Sequence, residues 1–479
     1  MITKTSYLNS VRRVRLAADA RMSKTNYTDD QIWELSLSGG DPDALAVSTS
    51  YGLRTRSVRI FPAFELKGEI ITAPAEFFTK PALSAAFPSY ARVDCSPFPR
   101  VGMRCEYWVP ESNVLAGRTI LANNGEEPLD LQFILFTMHA AGPDGHAFSQ
   151  QRMEGVNVLA GAAGNLQPVL FLGGGAVPAG AVFPGLLVST LLIPGESRSW
   201  TWAHAGLEKE RDSFQLARAT ASENWDGRTA RLEMLNSGYV HIETGEPAWD
   251  QAFFLSQRTA LASMMSENYE LPYSSYVNGR LPGRGFSREG RGRDYDDNWS
   301  GQSLQETGLL ISNLKYSAPE MAKGLLLNFL HRQRLDGFAP ARPGLAGGKS
   351  RHRCPPLLAA EIWKLYQFTR DRDLLLSTRD GLVSLFNSWF SEEQDRDSDG
   401  FPEWDHVLHA EFEHWRTFVP WHKWSQAMNL TMAETVDLLA FLLREAASLQ
   451  FIFEELEEYE RVEELLTRQQ RLLELLDAA

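Results

Sequence analysis

The sequence predicts a multidomain protein in which an N-terminal antiparallel β-sandwich is followed by an α/α-barrel (toroid) that is incomplete at its C-terminal end. Three observations lead to the division into a strand domain and a helical domain, and the barrel architecture itself rests on the motifs described below. The chain has 479 residues, which is enough for two or three domains. Short β-like runs separated by turn residues fill residues 1–240. Amphipathic helical segments fill residues 241–479, which we predict to be the barrel domain.

Short apolar runs broken by Gly, Pro, Asn and Asp mark the strands of the first domain, as in sandwiches and barrels. Turn signals such as Pro194–Gly195 separate them. The Gly- and Ala-rich stretch 155–185 is interpreted as loops, and Tyr239–Glu243 as the last strand. The clearest strand segments are Ser57–Phe61, Phe64–Ile71, Arg104–Val109, Leu129–Phe136 and Leu186–Ile193.

Helical periodicity dominates the second domain, and Met321, Leu325 and Phe329 illustrate the spacing of residues on one helix face. Two long polar loops, 270–300 and 394–427, interrupt the helices, and loops of this length in a compact domain usually carry function. About seven helices are predicted, over residues 248–266, 301–314, 318–334, 356–370, 372–390, 428–449 and 451–477.

The net charge of −14 at pH 7 argues against a nucleic-acid partner, because phosphate binding needs a basic surface. No apolar run is long enough for a signal peptide or a membrane span, so no membrane partner is expected. The cysteines Cys95, Cys105 and Cys354 share no metal-ligand spacing. A Cys95–Cys105 pair is one interpretation, but we expect buried free thiols in a reducing compartment, which predicts a cytoplasmic protein.

The first polar loop combines arginines, aspartates and aromatic rings around several glycines. Such groups hold sugar hydroxyls through charge-assisted hydrogen bonds and ring contacts. The alternative is a solvated loop whose charges pair with one another. We predict that the substrate-binding residues here are Arg293, Tyr295, Asp296, Trp299 and Gln302.

The second polar loop begins like a calcium loop, with Asp395, Asp397, Asp399 and Gly400. His406 occupies the twelfth position, where an EF-hand has a bidentate Glu, so an EF-hand is excluded. No cofactor is required, but a structural calcium ion is predicted, and the alternative is an Asx-type turn in which the aspartates bond their own backbone. The predicted metal ligands are Asp395, Asp397, Asp399, the Phe401 carbonyl and Glu403.

Carboxylates crowded among tryptophans follow this loop, with Asp405 and Glu413 near Trp404 and Trp415. Glycoside hydrolysis needs one carboxylic acid that keeps its proton near neutral pH, and a desolvating aromatic wall raises a carboxyl pKa. The alternative is a set of surface acids at the start of a helix. No Gly-x-Ser-x-Gly elbow or His-Glu-x-x-His zinc motif is present. A carbohydrate substrate is therefore predicted.

Three segments, 294–303, 353–366 and 397–405, resemble the six-hairpin (α/α)6-barrel glycoside hydrolases related to trehalase, mannosylglycerate hydrolase and the processing α-glucosidases. The resemblance covers about 245–479. It implies an inverting glycoside hydrolase that acts on an α-linked glucoside or a related sugar. The resemblance also implies a calcium ion near the aspartate-rich loop.

Within this family resemblance, the matching position makes Glu413 the candidate general acid, and Asp405 is second. Glu413 and Asp405 are thus the predicted catalytic pair, and Trp404 and Trp415 are predicted to bind the substrate. The chain departs from the family pattern here, because Glu411 stands where glycine is usual.

A complete barrel of this family has six helical hairpins, and its catalytic base lies in the half that this chain lacks. The late acids Glu434 and Glu445 are interpreted as structural. Three explanations are considered: a truncated gene product, an enzyme completed by a second polypeptide, and a non-catalytic remnant. Exposed apolar faces of an incomplete barrel would favour that second polypeptide or a homo-oligomer. The alternative function is a non-catalytic carbohydrate-binding or scaffolding protein, and a lyase or phosphorylase on the same scaffold is a third.

Overall fold

A computed structural model describes residues 8, 10–180, 182–268, 270–296, 298–344, 352–404 and 434–478 of the chain. Two compact units are present. The first contains residues 1–266 and 278–294, and the second contains residues 267–277 and 295–479. The chain therefore passes between the units within the first polar loop.

The first unit is built mainly from strands, which alternate buried and exposed residues where one face of a sheet is covered. In chain order they are β1 (Arg13–Leu16), β2 (Trp33–Ser36), β3 (Ala46–Thr49), β4 (Ser57–Leu66), β5 (Glu69–Ile71), β6 (Thr79–Phe87), β7 (Tyr90–Ser96), β8 (Val101–Glu111), β9 (Val114–Asn123), β10 (Leu129–Ala140), β11 (His146–Met153), β12 (Val156–Ala162), β13 (Val169–Leu172), β14 (Val177–Pro178), β15 (Gly185–Leu192), β16 (Ser197–Ala205) and β17 (Met264–Met265).

Strands β1 to β16 form two antiparallel sheets of eight strands each. One has the order β1-β2-β3-β4-β10-β15-β14, with β5 paired to β4, and the other has the order β11-β12-β13-β16-β9-β8-β7-β6. Aromatic rings join the two sheets, since Phe133 of β10 stacks on Trp200 of β16 with centroids 6.0 Å apart. The predicted N-terminal antiparallel β-sandwich is confirmed.

Close approach within the second sheet depends on Gly117 of β9, which lies opposite Trp202 of β16. A Cβ added at Gly117 would lie 2.1 Å from the Trp202 ring, so only glycine fits there.

Three helices complete the first unit, α1 (Glu210–Ala221), α2 (Trp225–Asn236) and α3 (Pro247–Ser263). Ala217 of α1 and Trp225 of α2 pack against Trp108 and Ala203 of the second sheet. These helices cover an apolar sheet face that would otherwise meet water. The sequence interpretation missed α1 and α2, because strand-like runs dominate the region around them.

Three strand predictions need correction. The run Phe64–Ile71 is not one strand, because Lys67 and Gly68 both have positive φ and turn the chain between β4 and β5. The stretch 155–185 is not loops, since it contains β12, β13 and β14. Its small residues hide the alternating pattern.

Tyr239–Glu243 is not a strand. The Gln257 amide bonds the Val240 N–H at 3.0 Å and its carbonyl at 2.8 Å, in place of a neighbouring strand.

The second unit is helical. Its elements are β18 (Ser275–Tyr276), α4 (Leu304–Ser317), α5 (Pro319–His331), α6 (Leu358–Thr369), α7 (Arg372–Ser388), α8 (Val436–Glu455) and α9 (Tyr459–Ala478). Its core includes Leu325 and Phe329 of α5, which the periodicity placed on one face, and both are fully buried. A helical domain after the sheets confirms the predicted fold class.

All three cysteines are free and buried, as expected. Burial raises the pKa of the Cys105 thiol to about 12, although hydrogen bonds from Thr119 and Tyr107 oppose the shift. Burial also raises the pKa of the Cys95 thiol, so Cys95 and Cys105 are protonated and inert at neutral pH.

Candidate functional site

Helix α4 begins at the N-cap Ser303, whose hydrogen bonds fix the residues before the helix. Ser303 Oγ accepts the Glu306 backbone N–H at 3.2 Å and donates to the Glu306 carboxylate at 3.0 Å. The Tyr276 hydroxyl accepts the Ser303 N–H at 3.0 Å and lies 3.2 Å from its carbonyl oxygen. Burial raises the pKa of Tyr276, so this hydroxyl stays protonated at neutral pH.

Gln302, predicted to bind substrate, is only 1% exposed. Its Nε2 donates to the Leu325 carbonyl at 2.6 Å, and its Oε1 accepts from Asn328 Nδ2 at 3.3 Å. The amide thus ties the start of α4 to α5.

Trp299, predicted to stack on sugar, is also only 1% exposed. Its ring packs edge-on against Tyr295, with centroids 5.2 Å apart and an interplanar angle of 61°. This indole therefore packs in the core of its unit. Tyr295 is half-buried and Asp296 is exposed. Of the predicted substrate-binding residues of the first polar loop that belong to the second unit, these two are accessible to a ligand.

Arg293 is exposed and belongs to the first unit. In the same loop, Asp294 accepts the Ser287 hydroxyl at 2.5 Å and the Arg288 backbone N–H at 2.8 Å. Partial burial opposes ionisation of Asp294, but these hydrogen bonds outweigh it and hold its pKa below the usual value. The loop is therefore ordered by a hydroxyl and by backbone groups.

A cavity of about 280 Å³ lies beside Trp404 in the helical unit. Trp404 is 1% exposed and meets Trp389 edge-on, with centroids 5.5 Å apart, and Phe441 at 6.1 Å. The cavity combines this aromatic wall with polar side chains of α4 and α6. Its described lining residues are Leu304, Gln305, Gly308, Leu309, Ser312, Pro355, Leu357, Glu361, Lys364, Trp404 and Phe441.

Among the described residues that line this cavity, Glu361 is the one that carries a carboxylate. It forms an ion pair with Lys364 at 2.5 Å. A Cβ at Gly308 would come within 3.0 Å of Glu361 Oε2, so this glycine leaves room for the carboxylate. A carboxylate held in such a pair can accept hydrogen bonds from sugar hydroxyls.

The aspartate-rich loop gathers three predicted metal ligands. One oxygen from each of Asp395, Asp397 and Asp399 lies within 4.8 Å of the others. Asp395 is 8% exposed, and its Oδ1 is buried with no hydrogen-bond partner among the described residues. Glu403 Oε2 is likewise buried without a partner. Such orphaned carboxylate oxygens fit a hard divalent cation of the calcium kind.

The Asx-type turn is present as well. Asp399 Oδ1 accepts the Phe401 N–H at 2.7 Å, and Asp395 Oδ2 accepts the Gly400 N–H at 3.0 Å. Each aspartate keeps one oxygen that these bonds do not use. The two interpretations of this loop are therefore compatible.

Glu434 joins this acidic group, although the sequence analysis did not assign it there. A β-bridge pairs Glu403 with Glu434. Desolvation raises the pKa of Glu434, and the negative charges of Asp399 and Asp397 raise it further. No local motif could have shown this contact, because the two residues lie on opposite sides of 405–433.

The remaining predicted site residues, Asp405, Glu413 and Trp415, lie outside the described residues. The Phe401 side chain is buried. The predicted catalytic pair therefore stays a prediction.

Comparison with solved structures identifies the fold. A bacterial glucoamylase complexed with acarbose matches 96% of this chain with a TM-score of 0.51 at 11% identity. The chain spans 66% of that protein's length. A protein from the human microbiome described as a kojibiose phosphorylase matches 96% of this chain and 62% of its own length, with a TM-score of 0.46 at 8% identity. The predicted resemblance to the (α/α)6-barrel glycosidase clan is confirmed at the level of fold.

An uncharacterised conserved protein from Thermus thermophilus matches 37% of this chain and 56% of its own length, with a TM-score of 0.31 at 18% identity. No protein-family model and no curated sequence matches the chain. Among the described helices, none has the length and apolar character needed to cross a membrane.

Proposed function

We propose that the chain is a glycoside hydrolase of the inverting type that acts on an α-linked glucoside. The observation that carries the proposal is the cavity beside Trp404, because an indole wall next to polar side chains suits the apolar and polar faces of a sugar ring. The fold shared with a glucoamylase supports the same substrate class. Fold alone does not fix function, so the site must be tested.

In this proposal Glu413 protonates the glycosidic oxygen, and Asp405 is the second candidate for that role. Trp404 and Trp415 contact the sugar, and Tyr295 and Asp296 add further contacts. An inverting mechanism also requires a base carboxylate roughly 6.5–9.5 Å from the acid. The proposal assigns the acid alone and does not assign the base.

Hydrolysis of an aryl α-glucoside tests the acid. Glu413→Gln should lower kcat by about 10²- to 10⁴-fold with little change in KM, because the variant cannot donate a proton to the leaving oxygen. Glu411→Gln is the matched control and should keep the wild-type rate. The configuration of the first-formed sugar, measured by NMR, should be inverted. Equal rates in Glu413→Gln and wild type would remove Glu413 from the mechanism.

A non-catalytic sugar-binding protein is the second candidate. The ion pair between Glu361 and Lys364 favours it, since a carboxylate held in such a pair can accept hydrogen bonds from sugar hydroxyls. Binding of maltose by calorimetry without hydrolysis would support this candidate over the hydrolase.

We also propose a structural calcium ion at Asp395, Asp397, Asp399 and Glu403, with Glu434 as a further ligand. The orphaned oxygens of Asp395 and Glu403 support it. A cytoplasmic location is proposed as well, and the three free thiols support it.

A further inference from the structure

A second cavity, of about 400 Å³, lies in the first unit. This volume falls within the roughly 300–1,000 Å³ range of small-molecule sites. Strand β1, helix α3 and the segment after Asn278 contribute its walls. The described lining residues are Val11, Arg13, Val14, Arg15, Ala17, Ile32, Glu34, Pro88, Leu255, Arg258, Thr259, Ala262, Ser263, Gly279 and Arg280.

The lining is strongly basic in a chain whose net charge is −14. Arg13 and Arg15 lie on the exposed face of β1, which alternates exposed and buried residues. Glu34 is the carboxylate among the described lining residues, and it lies 3.8 Å from the largely exposed Arg13. Such an exposed pair neutralises little charge.

Arg280 shows how a buried arginine is satisfied in this unit. Its Nε and Nη2 bond both oxygens of Asp30 at 2.9 Å each. Its Nη1 donates to the carbonyls of Ala18 at 2.9 Å and Ala262 at 3.0 Å. This guanidinium is therefore neutralised and saturated with acceptors.

Arg258 of α3 lies in the same cavity wall without such compensation. It is 7% exposed, and its Nη2 donates to the backbone carbonyls of Arg15 and Phe87. In the part of the chain that the structure describes, its buried Nε has no hydrogen-bond partner and no carboxylate forms an ion pair with it. Burial lowers the pKa of Arg258 to about 10, which leaves it charged at neutral pH.

A buried cation with no ion-pair partner among the described residues is costly, and one that lines a cavity can offset part of that cost by binding an anion there. We propose that this cavity binds a small oxyanion, a phosphate group that is either free or esterified to a sugar, through Arg258 and Arg15. Guanidinium groups suit this ligand because their planar N–H groups match phosphate oxygens. The proposal does not depend on the hydrolase function.

The test uses the full chain and inorganic phosphate. Phosphate should raise Tm and bind measurably by calorimetry, whereas chloride at equal ionic strength should not raise Tm. Arg15→Gln should weaken phosphate binding about tenfold or more, because one charge-assisted contact is lost. Its side chain is exposed, so this variant decides the question even if Arg258→Gln fails to fold.

Two further variants test whether phosphate affinity depends on the charge of the cavity lining. Arg12→Gln removes the same charge from an exposed neighbour that does not line the cavity, and it should bind like wild type. Glu34→Gln removes a negative charge from the cavity wall and should tighten binding severalfold. Absence of any phosphate effect beyond that of chloride, or equal affinity in wild type and Arg15→Gln, would overturn the proposal.

Glucose 6-phosphate and glucose distinguish the two sources of the phosphate group. Equal affinity for inorganic phosphate and glucose 6-phosphate identifies the free anion as the ligand. At least tenfold tighter binding of the ester identifies a sugar phosphate. Binding of glucose as tight as that of its phosphate would contradict an oxyanion site.

Discussion

At the scale of single residues, Glu445 of α8 is the most informative acid. It is fully buried and accepts the backbone N–H groups of Ala359 at 2.7 Å and Ala360 at 3.1 Å. It therefore caps the start of α6, where Leu357 offers no side-chain cap. Burial raises the pKa of Glu445 to about 7, although the two N–H groups oppose the shift. The structural role that the sequence analysis gave Glu445 is confirmed.

The raised pKa of Glu445 predicts a pH-dependent stability. Its contribution is fully present below pH 4.5, the value in the unfolded chain, and is lost as the pH rises through about 7. The shift corresponds to about 3 kcal/mol. Urea unfolding at pH 5 and pH 8 should show that wild type loses up to about 3 kcal/mol more stability over this range than Glu445→Gln.

Glu460→Gln is the control for this measurement, because Glu460 is exposed on α9. Its pH profile should follow that of wild type. Parallel profiles for wild type and Glu445→Gln would show that Glu445 does not titrate in this range.

Single residues also show where sequence reasoning about the site fails. Trp299 and Gln302 have the chemistry of sugar-binding residues, but both are buried and serve the packing of their unit. Residue type predicts what a side chain can do, whereas exposure depends on tertiary contacts that no local pattern reports. Glu434 illustrates the converse, because a β-bridge brings it to Glu403 from a distant part of the sequence.

At the scale of elements, the aspartate-rich loop was the best predicted part of the site. The spacing of Asp395, Asp397 and Asp399 is local, so one turn suffices to bring their oxygens within 4.8 Å. Helices were also predicted well where an apolar face recurs, as in α5 and α7. Strands were predicted less well, because the small residues of β12 carry little hydrophobic signal and turns such as Lys67–Gly68 depend on backbone geometry.

Calcium should stabilise the helical unit through this loop. Added Ca²⁺ should raise Tm, and EDTA should lower it, because a ligand that binds only the folded state shifts unfolding by mass action. Asp397→Asn should weaken Ca²⁺ binding at least tenfold by calorimetry, since it removes a charged ligand. Asp397 is exposed, so its loss should spare the fold.

Asp477→Asn serves as the control, because it removes one carboxylate from an exposed position on α9. It should bind Ca²⁺ like wild type. A Tm that is indifferent to both Ca²⁺ and EDTA would leave the loop as an Asx-type turn alone.

At the scale of the whole molecule, composition and periodicity were enough to predict a strand domain followed by a helical domain, and the family resemblance favoured a sandwich over a barrel for the first. They could not place α1 and α2, whose role is to cover one face of a sheet and is visible only once that sheet exists. The fold likeness to a glucoamylase confirms the architecture at 11% identity, which shows how weakly this fold constrains the sequence. Function has to be inferred from individual sites in each unit.

Trp404 has one edge in the core against Trp389 and another in the cavity of the helical unit. Its indole is therefore an intrinsic optical probe of whatever enters that space. Titration with maltose should perturb the emission of the wild-type protein, and Trp404→Phe should remove the component that depends on the ligand. The molecule thus carries its own reporter of occupancy, so ligands can be ranked without any chemical label.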